Sequence, residues 1–134
     1  MLTVGDAFQR LAGIDLLATV VGGRPDRAAL ARAAEGRVRV DADDTWSDIF
    51  SKVLVSHVEP TLGQDRLTVL HDYPAPEAAL ARVKLSDPRV AERFEIYACG
   101  VELANGFAEL TDAHEQRLRF VEAMDEKERR YGER

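Results

Sequence analysis

Cysteine is nearly absent from the 134 residues: Cys99 stands alone, so an internal disulfide is impossible and a cysteine-based zinc site lacks its ligands. Histidine is scarce as well, and His57, His71 and His114 are scattered without metal-ligand spacing. Long apolar runs are missing. The longest, near residues 14–21, is interrupted by Asp15 and Thr19 and falls far short of the roughly 18 consecutive apolar residues of a membrane span. The first residues lack a basic patch followed by an apolar run, so no secretory signal is visible and a cytoplasmic location, with no membrane partner, is the expectation. Positive charge is in the minority: 18 basic residues against 24 acidic leave a formal charge of −6, with no Lys/Arg stripe interleaved with aromatics. Broad nucleic-acid binding by this segment is not expected.

What is present is the composition of one soluble globular domain, 46% apolar and 31% charged. At this length about two-thirds of the unfolded surface can be buried. Residues 1–63 read as mainly helical. Thr3 can cap a helix through Leu11 that ends at Gly13, and Pro25 suits the first turn of an Ala-rich helix over residues 26–35. Arg24, Arg27, Arg32, Arg37 and Arg39 cluster there, either as an anion site or, with acidic neighbours among them, as a solvated face. Residues 44–58 carry the clearest helical period, Trp46, Ile49, Phe50, Val53, Leu54 and His57, capped by Asp43 or Asp44. His57 on this stripe reads as a structural histidine.

Residues 64–134 change character. A strand over residues 67–71 ends by Tyr73 ahead of Pro74 and Pro76, a short extended piece follows at 80–85, and Asp87-Pro88 marks a turn. Residues 93–99 and 101–110 form the strongest strand pair. Asp112-Ala113-His114-Glu115 has capping-box spacing and opens a helix to about Tyr131, with Leu118, Val121 and Met124 as its apolar line.

If Cys99 and Gly100 make a two-residue turn, 98 faces 101, 97 faces 102 and 95 faces 104. Phe94, Ile96, Ala98, Val101 and Leu103 then share an apolar side, and Glu95, Tyr97, Glu102 and Ala104 the other. Glu95 and Glu102 become diagonal neighbours, roughly 7–8 Å apart at the backbone. Such like charges are tolerated by full solvation, by one raised pKa, or by a shared cation; Mg²⁺ is a hard cation that accepts one or two carboxylates plus phosphate oxygens. A glycosidase also uses two carboxylates, but nothing else in the chain points to a sugar cleft. Strict alternation would turn Asn105, Phe107 and Glu109 to the apolar side, where an unpaired Glu109 is costly; a bulge near Gly106 would swing them back beside Glu102. Amide, ring and carboxylate together suit an ammonium group.

The stretch Arg93-Phe94-Glu95-Ile96-Tyr97, then Gly100-Val101-Glu102-Leu103-Ala104-Asn105-Gly106-Phe107-Ala108-Glu109-Leu110-Thr111-Asp112-Ala113, with Gln116-Arg117 and Arg119-Phe120, resembles the catalytic core of class II lysyl-tRNA synthetases. Asp72-Tyr73-Pro74-Ala75 and Ala79-Leu80-Ala81 match that family's strand and loop before the hairpin. Val58-Glu59-Pro60, Leu62-Gly63, Ala7-Phe8, Gly13-Ile14-Asp15, and Ala104 where the synthetases usually carry glycine, resemble the truncated branch that ligates a lysine-type amino acid to elongation factor P. The fold this implies is α+β: the antiparallel-sheet part of a class II aminoacyl-tRNA synthetase-like catalytic domain, with helices at both ends. The activity implied is ATP-dependent formation of an aminoacyl-adenylate from lysine or β-lysine and its transfer to a lysine of elongation factor P. A lysyl-tRNA synthetase acting on tRNA is the alternative. Residue by residue, the resemblance implies Glu95 and Glu102 as holders of Mg²⁺ and ATP, Leu103 against the nucleotide, and Glu109 with Asn105 and Phe107 around the substrate's amino groups. It also allows a homodimer.

The family's first two signature motifs, with the arginine-bearing strand pair that grips the α-phosphate, are expected upstream of Met1, and the glycine-rich segment ending in arginine beyond Arg134. No Phe-Arg-x-Glu occurs in the chain. The expectation is therefore an internal piece of a catalytic domain, and a non-catalytic remnant that binds nucleotide or a partner is the reading from a different class.

Overall fold

A computed structural model describes residues 1–107, 121–124 and 126. Strand β1 (Leu2–Thr3) runs into helix α1 (Val4–Ala12). Thr3 caps it, its hydroxyl accepting from the Asp6 amide at 3.1 Å, and Gly13 closes it at φ 67°. Val4, Ala7, Phe8 and Ala12 form its buried face, as the period requires. A small hairpin, β2 (Val20–Val21) with β3 (Arg24–Pro25), leads to α2 (Arg27–Ala34). Pro25 belongs to that hairpin rather than to the first helical turn, and Asp26 is the cap, accepting from the Ala29 amide at 3.1 Å.

Helix α3 (Trp46–Val53) starts one residue later than its expected acidic caps. Thr45 and Asp48 make a reciprocal capping box, which satisfies two helix-end donors at once. Asp44 is left to hold Lys52 at 2.5 Å, and that contact keeps its carboxyl below the usual range. The helical run widens into a π-type turn at Leu54–Val58 and tightens at Glu59–Thr61. Phe8, Phe50 and Trp46 stack with ring centroids 5.1 and 5.5 Å apart. The buried Trp46 indole donates to Thr19 at 3.0 Å, so its one polar atom is satisfied inside the core. Of the clustered arginines, Arg27 donates to the Asp44 and Asp41 carbonyls and Arg37 to the Ala12 carbonyl, so both staple loops to helix ends. His57 sits 3.0 Å from the Arg37 carbonyl, a structural position.

The sheet contains β4 (Thr68–Pro74), β5 (Val83–Lys84), β6 (Asp87–Ala98) and β7 (Val101–Phe107). Strand β6 is the hub. Strand β4 lies along one side of it, antiparallel, and β1 extends the sheet by pairing parallel with β4. The other side is shared in succession, β5 against the start of β6 and β7 against its end. Lys84 pairs with Asp87, so the turn expected at Asp87-Pro88 lies at Leu85-Ser86 and those two residues begin β6. Five residues at 121–124 and 126 are helical; the rest of the expected helix at 112–131 lies outside the described residues, as does His114. The α+β architecture expected from the sequence is the one observed. No helix among the described residues is long and apolar enough to cross a membrane.

Candidate functional site

Cys99 (φ 50°) and Gly100 (φ 76°) form the expected two-residue turn, with Ala98 opposite Val101 and Tyr97 opposite Glu102. Positive φ at both central residues is the primed turn whose twist matches a hairpin. The tip is docked on a preceding segment, since the Cys99 amide donates to the Gly63 carbonyl and the Gly100 amide to the Leu62 carbonyl, each at 2.8 Å. Gly63 approaches β6 so closely that a Cβ there would fall 2.7 Å from Ala98 Cα.

Beyond Glu102 the register slips. Ile96 faces Ala104, Glu95 faces Asn105, Phe94 faces Gly106 and Arg93 faces Phe107. Two steps on β7 answer one step on β6, so the bulge lies at Leu103 and not near Gly106. Glycine at 106 has a different reason: its cross-strand partner Phe94 lays its ring over the backbone, and a Cβ there would be 2.6 Å from that ring. The bulge returns Asn105 to the face of Glu102: Glu102 and Asn105 stand directly opposite Tyr97 and Glu95, and Phe107 pairs with Arg93 in the ladder. Glu109 lies outside the described residues, and of Phe107 only the backbone is described.

Burial inverts the expected sidedness. Phe94, Val101 and Leu103 are substantially exposed, while Glu95 (6% exposed) and Tyr97 are buried. On β6 the polar face packs inward because its groups satisfy one another, whereas Glu102 and Asn105 on β7 stay exposed. Arg93 donates to Glu95 at 2.6 Å and to the Glu77 carbonyl at 2.8 Å, and its guanidinium lies 4.5 Å from the centre of the Tyr73 ring. Tyr97 Oη lies 2.7 Å from both Glu95 and Glu59. Burial, reinforced by those two carboxylates, pushes the Tyr97 phenol far up, so it stays a proton donor. Tyr73 is raised chiefly by burial and next by the charge of Glu95, and its hydroxyl is buried with no hydrogen-bond partner among the described residues.

Glu102 is exposed and accepts from the Asn105 amide at 3.4 Å. Among the described residues no cation pairs with it, and an exposed carboxylate fits a Mg²⁺ ion completed by phosphate oxygens. Glu95 fits that ion less well: a buried carboxylate already neutralised by a guanidinium has little charge left for a second cation. Among the described residues no group of three or more acidic, His or Cys side chains is arranged to hold a metal. Leu103 is the exposed bulge residue beside Glu102.

The roles of Glu59, Arg93 and Tyr97 had no local signal beyond one. Arg, Glu and Tyr at 93, 95 and 97 share a strand face by alternation, an arrangement suited to mutual pairing. Nearby, Glu77 carries one buried oxygen with no hydrogen-bond partner among the described residues, and burial raises its carboxyl, offset in part by Ser47 and Arg93. A folded-state pKa above the unfolded one means that its contribution is intact at low pH and lost as pH rises through the folded value. Glu77→Gln is therefore expected to melt higher than the parent near about pH 7 and at the same temperature near about pH 4; a thermal melt at both values checks it, and equal melting at the higher pH would refute it.

The helices, the mixed, mainly antiparallel sheet and the carboxylate-bearing hairpin are those of a synthetase-type catalytic domain, and the comparison with known families agrees. The model for "tRNA synthetases class II (D, K and N)" matches residues 27–133, and the chain belongs to that family. Among individual proteins it is similar to the elongation factor P (R)-β-lysine ligase of Klebsiella pneumoniae subsp. pneumoniae, 45% identical over 122 residues, which are 89% of this chain and 36% of the relative. The ligase of the same name from Mannheimia succiniciproducens is 42% identical over 113 residues, 84% of this chain and 33% of that protein. The one from Proteus mirabilis is 51% identical over 80 residues, 60% and 25%. The chain thus spans about a third of the length of the first two relatives.

Proposed function

We propose that this chain supplies the amino-acid and nucleotide hairpin of an ATP-dependent ligase that joins a lysine-type amino acid, lysine or β-lysine, to a lysine of elongation factor P in the cytoplasm. The observation that carries the reading is the bulge at Leu103, which sets Glu102 and Asn105 on one face opposite Tyr97 and Glu95. Relatives named for the β-lysine reaction support the acceptor; transfer to tRNA is the competing outcome.

In this reading a carboxylate oxygen of the amino acid attacks the α-phosphorus of ATP, the bond to the bridging oxygen breaks, and pyrophosphate leaves. The acceptor amine then attacks the acyl carbon, AMP departs, and the amine's proton is lost as the amide forms. Glu102 is the first candidate ligand for Mg²⁺, with Glu95 behind it as the weaker one, and the ion would offset phosphate charge as it develops. Leu103 lies along the nucleotide. Asn105 accepts from the substrate's ammonium, Glu109 pairs with it, and Phe107 packs on its alkyl stem. A homodimer remains compatible with this arrangement.

The test is acyl transfer followed by intact mass of the acceptor, with ATP, Mg²⁺ and lysine or β-lysine supplied. In a full-length ligase that carries this hairpin, a mass gain on elongation factor P is expected, and charging of tRNA instead would overturn the assignment. Glu102→Gln should lower adenylate formation about a hundredfold or more, the scale of losing a metal's charge stabilisation. An unchanged rate would remove Glu102 from the site.

A further inference from the structure

We infer that Tyr97 is the positioning residue of this hairpin: its hydroxyl, held between Glu59 and Glu95, sets the strand pair that presents Glu102 and Asn105. The inference rests on the proposed function for what the hairpin presents, and on geometry alone for how it is held.

Tyr97 Oη lies 2.7 Å from Glu59 Oε2 and 2.7 Å from Glu95 Oε2. A phenol has one proton to donate, so that proton serves two carboxylates converging on one oxygen. Glu95 has a second neutralising partner in Arg93, at 2.6 Å. Glu59 reaches the cluster from the turn at Glu59–Thr61, the same segment whose Leu62 and Gly63 carbonyls receive the tip amides of the hairpin. One backbone clamp and one side-chain clamp therefore fix the end of β6 to this segment.

Among the described residues, β7 has little else: its side chains at 101–105 are exposed, and Asn105 donates to Glu102 at 3.4 Å. Its position follows that of β6, where Tyr97 and Glu95 are the direct cross-strand partners of Glu102 and Asn105. Removing the hydroxyl takes away the donor between two carboxylates, one of them 6% exposed, and leaves like charges facing each other. Among the described residues, Arg93 on the same strand, Tyr73 on β4 and Glu102 across the ladder also surround this point.

The test uses Tyr97→Phe and the double variant Tyr97→Phe/Glu59→Gln in the 134-residue chain, read by amide hydrogen exchange. In the single variant, protection of the β7 amides that pair with β6 should fall about tenfold, or ~1.4 kcal/mol, while those of α1 and α3 keep theirs. Adding Glu59→Gln, which removes one of the two carboxylates left facing each other, should restore most of the protection. No recovery in the double variant would mean that only packing was lost and overturns the inference. The readout needs no turnover, so a failure of ligase activity would count against the proposed function and leave this result standing.

Discussion

Gly63→Ala is expected to destabilise the protein by about 3–5 kcal/mol, combining left-handed backbone strain with overpacking against main chain. Gly63 has φ 68°, a region that side chains with a Cβ avoid. Its Cβ would also fall 2.7 Å from Ala98 Cα and closer still to the Tyr97 carbonyl oxygen. These are backbone atoms of the central strand and cannot swing aside as a side-chain tip would. The same substitution at Gly36 is the internal control, because φ there is 81° and a Cβ meets nothing within 4 Å. Gly36→Ala should therefore cost only the conformational part, about 1 kcal/mol. Urea unfolding of both variants separates the two effects. Equal losses would show that the close approach of Gly63 to β6 contributes nothing.

Arg93→Ala is expected to cost about 3–5 kcal/mol, the scale of breaking a buried ion pair and leaving one charge behind. Glu95 would lose its 2.6 Å partner while still buried, the Glu77 carbonyl would lose its donor, and the Tyr73 ring would lose the cation above it. Arg93→Lys should be intermediate, since an ammonium keeps the charge but cannot reach two acceptors with a planar fork. Adding Glu95→Gln to Arg93→Ala should recover part of the loss by removing the stranded charge. If the double variant is no more stable than Arg93→Ala alone, the pair is not the source of the penalty.

These two effects share an origin that bears on the site. The hairpin is held by a glycine that lets two main chains meet and by a guanidinium that makes a glutamate tolerable inside. Neither group faces a substrate in the proposed reaction, yet both determine where Glu102 and Asn105 stand, since β7 is paired along β6. A ligand set on a strand is only as well placed as the strand beneath it.

The local features were legible from residue order. Thr3 and Gly13 bound α1 because cap chemistry acts within one turn, and the period of Trp46, Ile49, Phe50 and Val53 marks α3 because a helix repeats its buried face every three or four residues. The Cys99-Gly100 turn followed from strand lengths on either side. Residue order leaves the cap of α3 open, because acidic residues at 43 and 44 compete with Thr45 and only the reciprocal bond with Asp48 decides between them. The cost of a buried Glu109 predicts a bulge but not its position: Gly106 reads as a flexible residue, whereas its role is to pass beneath Phe94.

By itself the sequence determined the class of fold, the helices with their caps, the hairpin turn, and the family, through a long motif whose residue types are read without coordinates. Only the tertiary structure decided which face of β6 is inside, where the register slips, and which of the two carboxylates is buried against a guanidinium. Alternation sorts side chains into two faces but assigns neither to the core. That assignment came from Glu59, 38 positions before Tyr97, and from Arg93 beside Glu95, whose bonds make a polar face cheaper to bury than its composition suggests.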